Sequence, residues 1–206
     1  MNGGQNTRPV MQCAVSVITH QGEAESGDLH LVKEFAGGAL VAVVDGSGHG
    51  SEAAAAARIA IATLEAQPQE DVVTLVRLCH EQLKGTRGAV MSLASFARRE
   101  NTMTWLGVGN IEGVLLRNAN RTTGGNAEGL LLRGGLVGYK LPGLQAVVTG
   151  VSPEDTLILA TDGIRPDFAG GVSASADAHE MAERIAANHS KGTDDGLVLV
   201  ARYLGP

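Results

Sequence analysis

Apolar positions along this chain fall into short unbroken runs near both ends and into helix-spaced stripes between them. Residues 11–19 read as a strand, residues 20–27 as a polar turn and residues 28–35 as a second strand, with Leu29 and Leu31 set against His30 and Val32. A Gly37-Gly38 turn leads into residues 39–44, Ala-Leu-Val-Ala-Val-Val, a branched apolar run of the kind that forms a core strand. Two helices follow. Residues 50–66 are alanine-rich, and residues 71–84, after Pro68, place Val72, Val73, Val76, Leu78 and Leu83 on an apolar stripe. The two are read as neighbours on one face of a sheet. Strands return over residues 89–96, 102–108, 111–117, 130–132 and 144–149, with Gly107-Val-Gly-Asn110 as a tight turn. Residues 118–129 read as a polar loop, the least ordered internal segment, and residues 177–190 as a helix with Met181, Ile185 and Ala186 on one side. Two strand layers with helices outside, instead of regular strand-helix alternation, predict an α+β sandwich.

Composition narrows the picture. With 206 residues, 44% of them apolar, the chain can bury one substantial core, so residues 1–206 are read as a single domain with a flexible N-terminus over residues 1–9. A net charge of −6 without any Lys/Arg-rich stretch argues against a nucleic-acid partner. Cys13 and Cys79 are far apart and lack zinc-ligand spacing, which points to a reducing cytoplasm; Cys13, inside an apolar run, is placed in the core. No stretch approaches the roughly 18 apolar residues of a membrane helix, so no membrane partner is expected.

Three acidic tips carry the candidate chemistry. Asp45 ends the apolar run 39–44 and opens into Gly46-Ser-Gly-His-Gly50; the glycines at 46, 48 and 50 are expected to permit positive φ and close backbone approach. Taken alone, Asp45 either caps the following helix or ligates an ion. The design repeats at Thr156-Leu-Ile-Leu-Ala-Thr-Asp-Gly-Ile164, and Asp194-Asp195 stands at the entrance of the run ending at Val200. If that last strand is antiparallel to the other two, all three acids meet at one sheet edge. Carboxylates clustered without thiolates or histidines select magnesium or manganese. Two such ions sharing an aspartate and a water generate a nucleophile near neutral pH, chemistry suited to phosphate esters.

Ser26-Gly-Asp28, Val44-Asp-Gly-Ser-Gly-His-Gly50, Thr161-Asp-Gly-Ile164 and Asp194-Asp-Gly-Leu-Val-Leu-Val200, in this order over nearly the whole chain, resemble the PPM-type metal-dependent Ser/Thr protein phosphatases. The resemblance is to the bacterial branch containing SpoIIE and RsbU, and Trp105-Leu-Gly-Val-Gly-Asn-Ile-Glu-Gly-Val114 resembles its stressosome-linked subfamily. It implies a four-layer α-β-β-α sandwich with two central antiparallel sheets and two Mn2+ or Mg2+ ions. Asp45 would bridge both ions, Gly46 would offer its carbonyl to one, and Asp162 and Asp194 would complete the other ion's shell. Asp28 would hold water on the Gly46 side or ligate directly, and Asp195 would orient a ligand from behind. A hydroxide between the ions would attack phosphoserine or phosphothreonine in line, with no phosphoenzyme; no Cys-x5-Arg motif offers a protein nucleophile. His49 either protonates the leaving hydroxyl or packs against the helix that starts there. His20, His30, His80, His179 and His189 show no ligand spacing and read as surface or packing residues.

The implied substrates are phosphorylated stressosome scaffold proteins of the RsbR and RsbS type, built on STAS domains, and the implied role is to reset a general stress or sigma-factor pathway from a cytoplasmic monomer. Two departures stand out. Gly196-Leu197 lies where the family carries a Ser or Thr, which predicts a looser strand entrance, and no N-terminal arginine matches the phosphate-gripping residue of eukaryotic relatives, Arg8 being too far from the second strand. Two rival readings are a catalytically weak interaction module of the same fold and a GHKL-type serine kinase. The glycines at 46 and 48 break the register that the kinase motif requires.

Overall fold

A computed structural model describes residues 9–118, 127–170, 172 and 175–206. Strands β1 (Met11–Ile18), β2 (Asp28–Phe35) and β3 (Gly38–Gly46) precede helices α1 (Ser51–Ala66) and α2 (Val72–Gln82). Strands β4 (Ala89–Ala97), β5 (Thr102–Val108), β6 (Glu112–Leu116), β7 (Ala127–Gly129), β8 (Leu132–Arg133), β9 (Val147–Gly150) and β10 (Thr156–Ala160) follow, then α3 (Ala178–His189) and β11 (Gly196–Tyr203). One sheet has the order β1-β11-β10-β6-β7. The other runs β2-β3-β4-β5-β8, with β9 also paired to β5. All pairings are antiparallel except the short β5-β8 contact.

The unbroken apolar runs have a direct structural meaning: their strands are covered on both faces. In β3, Ala39, Val41 and Val43 join the layer between the sheets, whereas Leu40, Ala42 and Val44 pack under α1 and α2. In β10 and β11, Leu157, Leu159, Leu197 and Leu199 face the inter-sheet layer, and Ile158, Val198 and Val200 face α3. The result is the expected α-β-β-α sandwich. Asp71 and Asp177 start α2 and α3 by accepting backbone amides of Val73 and Thr74, and of His179 and Glu180. The buried stripe of α2 is Val72, Leu75, Val76 and Cys79, continued by Leu83; Val73 and Leu78 are only partly covered.

Several expectations are corrected. Cys13 is exposed, not core, because β1 is the outermost strand of its sheet. Residues 127–129 of the supposed loop pair with β6 although all three are exposed and carry no apolar signal, and the strand placed at 130–132 reduces to Leu132–Arg133. The rest of that loop, residues 119–126, and residues 1–8 of the N-terminus lie outside the described residues. Gly46 is not a positive-φ residue, unlike Gly48 and Gly50; it is the last residue of β3, and a Cβ there would lie 2.0 Å from the Ala53 carbonyl oxygen of α1.

Candidate metal centre

The strand alternation that buries the core also aims the acids. Asp45 continues the series Ala39, Val41, Val43 and so faces the space between the sheets, where the apolar layer stops. Asp28 stands directly opposite it in the β2-β3 register. From the facing sheet, Thr161 continues the Leu157, Leu159 series of β10, and Asp195 precedes Leu197 and Leu199 on β11. The acids therefore do not share one sheet edge. They converge from both sheets at the same end of the sandwich, from the hydrogen-bonded pair β2 and β3 on one side and the pair β10 and β11 on the other.

Two hydrogen-bond relays hold this end together. Thr161 Oγ1 donates to Asp28 Oδ2 at 2.7 Å and accepts from the Leu197 amide at 2.8 Å, so one hydroxyl bridges the sheets and fastens the start of β11. The strand entrance is thus not loosened by Gly196-Leu197; the fastening hydroxyl comes from the neighbouring strand. Asp195, also buried, accepts the His20 amide and the Gly27 amide, each at 2.7 Å, and the Gly27 carbonyl in turn accepts the Gly46 amide at 3.1 Å. Its two oxygens are spent on ordering the loop that supports Gly46. Gly163 is required by packing: a Cβ there would lie 1.8 Å from the Asp195 carbonyl oxygen.

Asp45, Asp162 and Asp194 line an open cleft of about 160 Å3, together with Ser47, Gly48, Val90, Asn110 and Leu136. Asp162 is half-buried and accepts a hydrogen bond from Asn110 Nδ2 at 2.8 Å; Asp194 is exposed on the rim and accepts the Asp195 amide. Asp45 lies within β3, and α1 has Gly50 at its N-cap with no side-chain cap, so the capping alternative for Asp45 falls away. His49 does not cap either. Its exposed ring places Nδ1 2.6 Å from Glu23 Oε1, its centroid lies 5.7 Å from that of the His20 ring, and it is not part of the cleft wall.

The electrostatics fit a divalent cation. Burial pushes Asp45 up to about 8, and Asp28, Asp162, Asp194 and Asp195 add to the rise. Burial likewise raises Asp28 to about 7; the Thr161 hydrogen bond opposes the rise, and Asp195, Asp162 and Asp194 reinforce it. Every charge acting on this pair is another carboxylate, an arrangement that an added cation relieves. Hard oxygen donors suit magnesium or manganese. Among the described residues no group of three His, Cys, Asp or Glu side chains is arranged to hold a metal ion by itself.

Sequence reading missed Asn110, Thr161 and Glu23 as partners of the acids and of His49. Thr161 and Asn110 flank recognisable signals, the Asp162-Gly163 tip and the Gly107-Val-Gly109 turn, but their partners are remote in sequence.

The family model of SpoIIE, stage II sporulation protein E, matches residues 36–204. Over 105 residues the chain is 28% identical to phosphoserine phosphatase RsbX of Bacillus subtilis (strain 168), a stretch covering 51% of this chain and 53% of that relative, about half its length. A structure from work on the bacterial stressosome as a modular system controlling secondary messenger signalling superposes with TM-score 0.83 at 33% identity, covering 93% of this chain and 99% of the other. RsbX in complex with magnesium has the same fold, with TM-score 0.83 at 22% identity over 94% and 95% of the two chains. The chain belongs to the SpoIIE family, carries the PPM-type phosphatase fold and is a relative of RsbX.

Proposed function

We propose that this chain is a manganese- or magnesium-dependent protein phosphatase that hydrolyses phosphoserine or phosphothreonine on stressosome scaffold proteins with STAS domains. The observation that carries this reading is that Asp45, paired across the β2-β3 ladder with the buried Asp28, shares one cleft with Asp162 and Asp194 from the facing sheet. Asp45 would hold both cations, one together with the Gly46 carbonyl and Asp28 and the other together with Asp162 and Asp194, while Asp195 orders the loop that supports Gly46. Divalent cations held there supply positive charge to the phosphoryl oxygens and bring the pKa of a water toward neutrality. The protein's own part is placement: Asn110 orients Asp162, Thr161 holds Asp28, and His49, exposed beside the cleft and held at Nδ1 by Glu23, is the group proposed to protonate the leaving oxygen. Likeness to RsbX and to the stressosome structure supports the choice of substrate and a place in resetting a stress or sigma-factor pathway. The chain is proposed to act as a single-domain monomer in the cytoplasm. No helix among the described residues is long and apolar enough to cross a membrane.

The test is phosphate release from phosphorylated STAS-domain protein with manganese, with chelator, and with D45N. Manganese-dependent turnover that falls roughly 1000-fold in D45N is expected, the several kcal/mol that a misplaced catalytic cation costs. Unchanged turnover in D45N or in chelator sinks the proposal.

A further inference from the structure

A phosphate ester approaching Asp45, Asp162 and Asp194 meets a wall of like charge, and among the described residues none that lines the cleft is cationic. The Arg87 guanidinium, which lines a neighbouring groove with Glu52 and Thr86, comes against Gly48 of this lining. The β3-β4 ladder pairs Asp45 with Val90 and Gly46 with Ala89. Continued by two residues, the same register sets Ser47 against Gly88 and Gly48 against Arg87, and the Ser47 amide does donate to the Gly88 carbonyl at 3.0 Å. Arg87 Nη1 reaches across Gly48 to within 2.7 Å of where a Cβ on that residue would sit. Gly48, with φ at +89°, forms part of the cleft wall. A side chain at 48 would take the space the guanidinium uses.

The backbone that carries Arg87 is held by hydrogen bonds, and its side chain is half-exposed. Thr86 Oγ1 donates to the Leu83 carbonyl at 2.7 Å and accepts the Gly88 amide at 3.0 Å, so the turn before β4 is tied at both ends. The arginine side chain is 51% exposed, and its hydrogen-bond partner among the described residues is Glu52, 70% exposed, at 2.5 Å. An ion pair that open to water contributes little, so an incoming anion can displace it. Guanidinium matches phosphate oxygens in a two-pronged fork.

We propose that Arg87 is the phosphate-gripping residue of this site, reaching over Gly48 to the non-bridging oxygens of the substrate phosphate. This rests on the phosphatase reading above, and it supplies the site with a cation from the turn before β4.

The experiment is steady-state kinetics of the wild type, R87A and E52Q on one phosphopeptide with manganese, with inhibition by inorganic phosphate measured for each. R87A is expected to raise KM, and to weaken phosphate inhibition, each by about 10-fold or more, with kcat within about 2-fold, the pattern of lost binding common to ground and transition state. E52Q removes the ion pair but keeps the guanidinium and is expected to leave KM no higher than wild type. Unaltered KM and phosphate inhibition in R87A overturn the assignment, as does an E52Q defect equal to that of R87A, which would make the ion pair structural. A wild type without manganese-dependent turnover overturns the phosphatase reading itself and the arginine's role with it.

Discussion

Asp28 and Asp45 face each other across the β2-β3 ladder, a position where like charges repel. Burial, the largest cause, raises their carboxyls from the ordinary 3.8 to about 7 and about 8 in the folded chain. The folded state therefore holds protons that the unfolded state gives up. Without metal, the contribution of these groups to stability is fully present below the unfolded value and is lost as pH rises through the folded values. Urea midpoints of chelator-treated protein are expected to fall between about pH 5 and about pH 8. Manganese should erase most of that fall by favouring the ionised pair. A midpoint that rises over this interval in chelator would show that the pair is not buried as described. At this scale the identity of the acids is readable from motif position, but their supports are not: Thr161 lies 133 positions from Asp28 and Asn110 lies 52 from Asp162.

Among the elements, the close fit of β3 against α1 and of the β10 exit against the β11 entrance sets the position of both Asp-Gly tips. Gly46 lies under Ala53, and the alanines of α1 let the helix approach the strand closely. Gly163 lies against the backbone of Asp195. A methyl group at either place has nothing flexible to push aside, so G46A and G163A should each lower stability by about 1–3 kcal/mol or more, and displace the neighbouring aspartate. G150A, where nothing lies within 4 Å, is the control. Urea unfolding of the three variants checks this; a G163A midpoint equal to that of G150A would contradict the packing. The alanine-rich helix and the glycines are plain in the sequence. Their reason is not, since positive φ and close packing both select glycine, and only neighbouring coordinates separate them.

For the whole molecule, the acids belong to two sheets joined by an apolar layer and, at this end, by the Thr161–Asp28 hydrogen bond. A cation bound among them, as proposed, would clamp one sheet to the other, so its binding energy would appear as global stability. Manganese at about 100-fold above its Kd is expected to stabilise the wild type by about 2.7 kcal/mol, read as a rise in Tm, and to leave D45N nearly unmoved. An equal rise in D45N would place the ion elsewhere.

The sequence by itself determined the kinds and order of the main elements, because periodicity is a local property: apolar runs for strands covered twice, helical stripes for α2 and α3, acids at strand tips. Alternation along β3 even fixes which face Asp45 shares with Ala39, Val41 and Val43. The weak strands β7 and β8 escaped it, since exposed edge residues carry no pattern, and Cys13 misled it, since an apolar neighbourhood does not reveal an outermost strand. Tertiary structure alone decided that the acids arrive from two sheets, that Thr161 supplies the hydroxyl absent at 196–197, and that Arg87 reaches Gly48. Each is a contact between segments whose approach depends on the packing of everything between them, a relation that no local pattern of residues encodes.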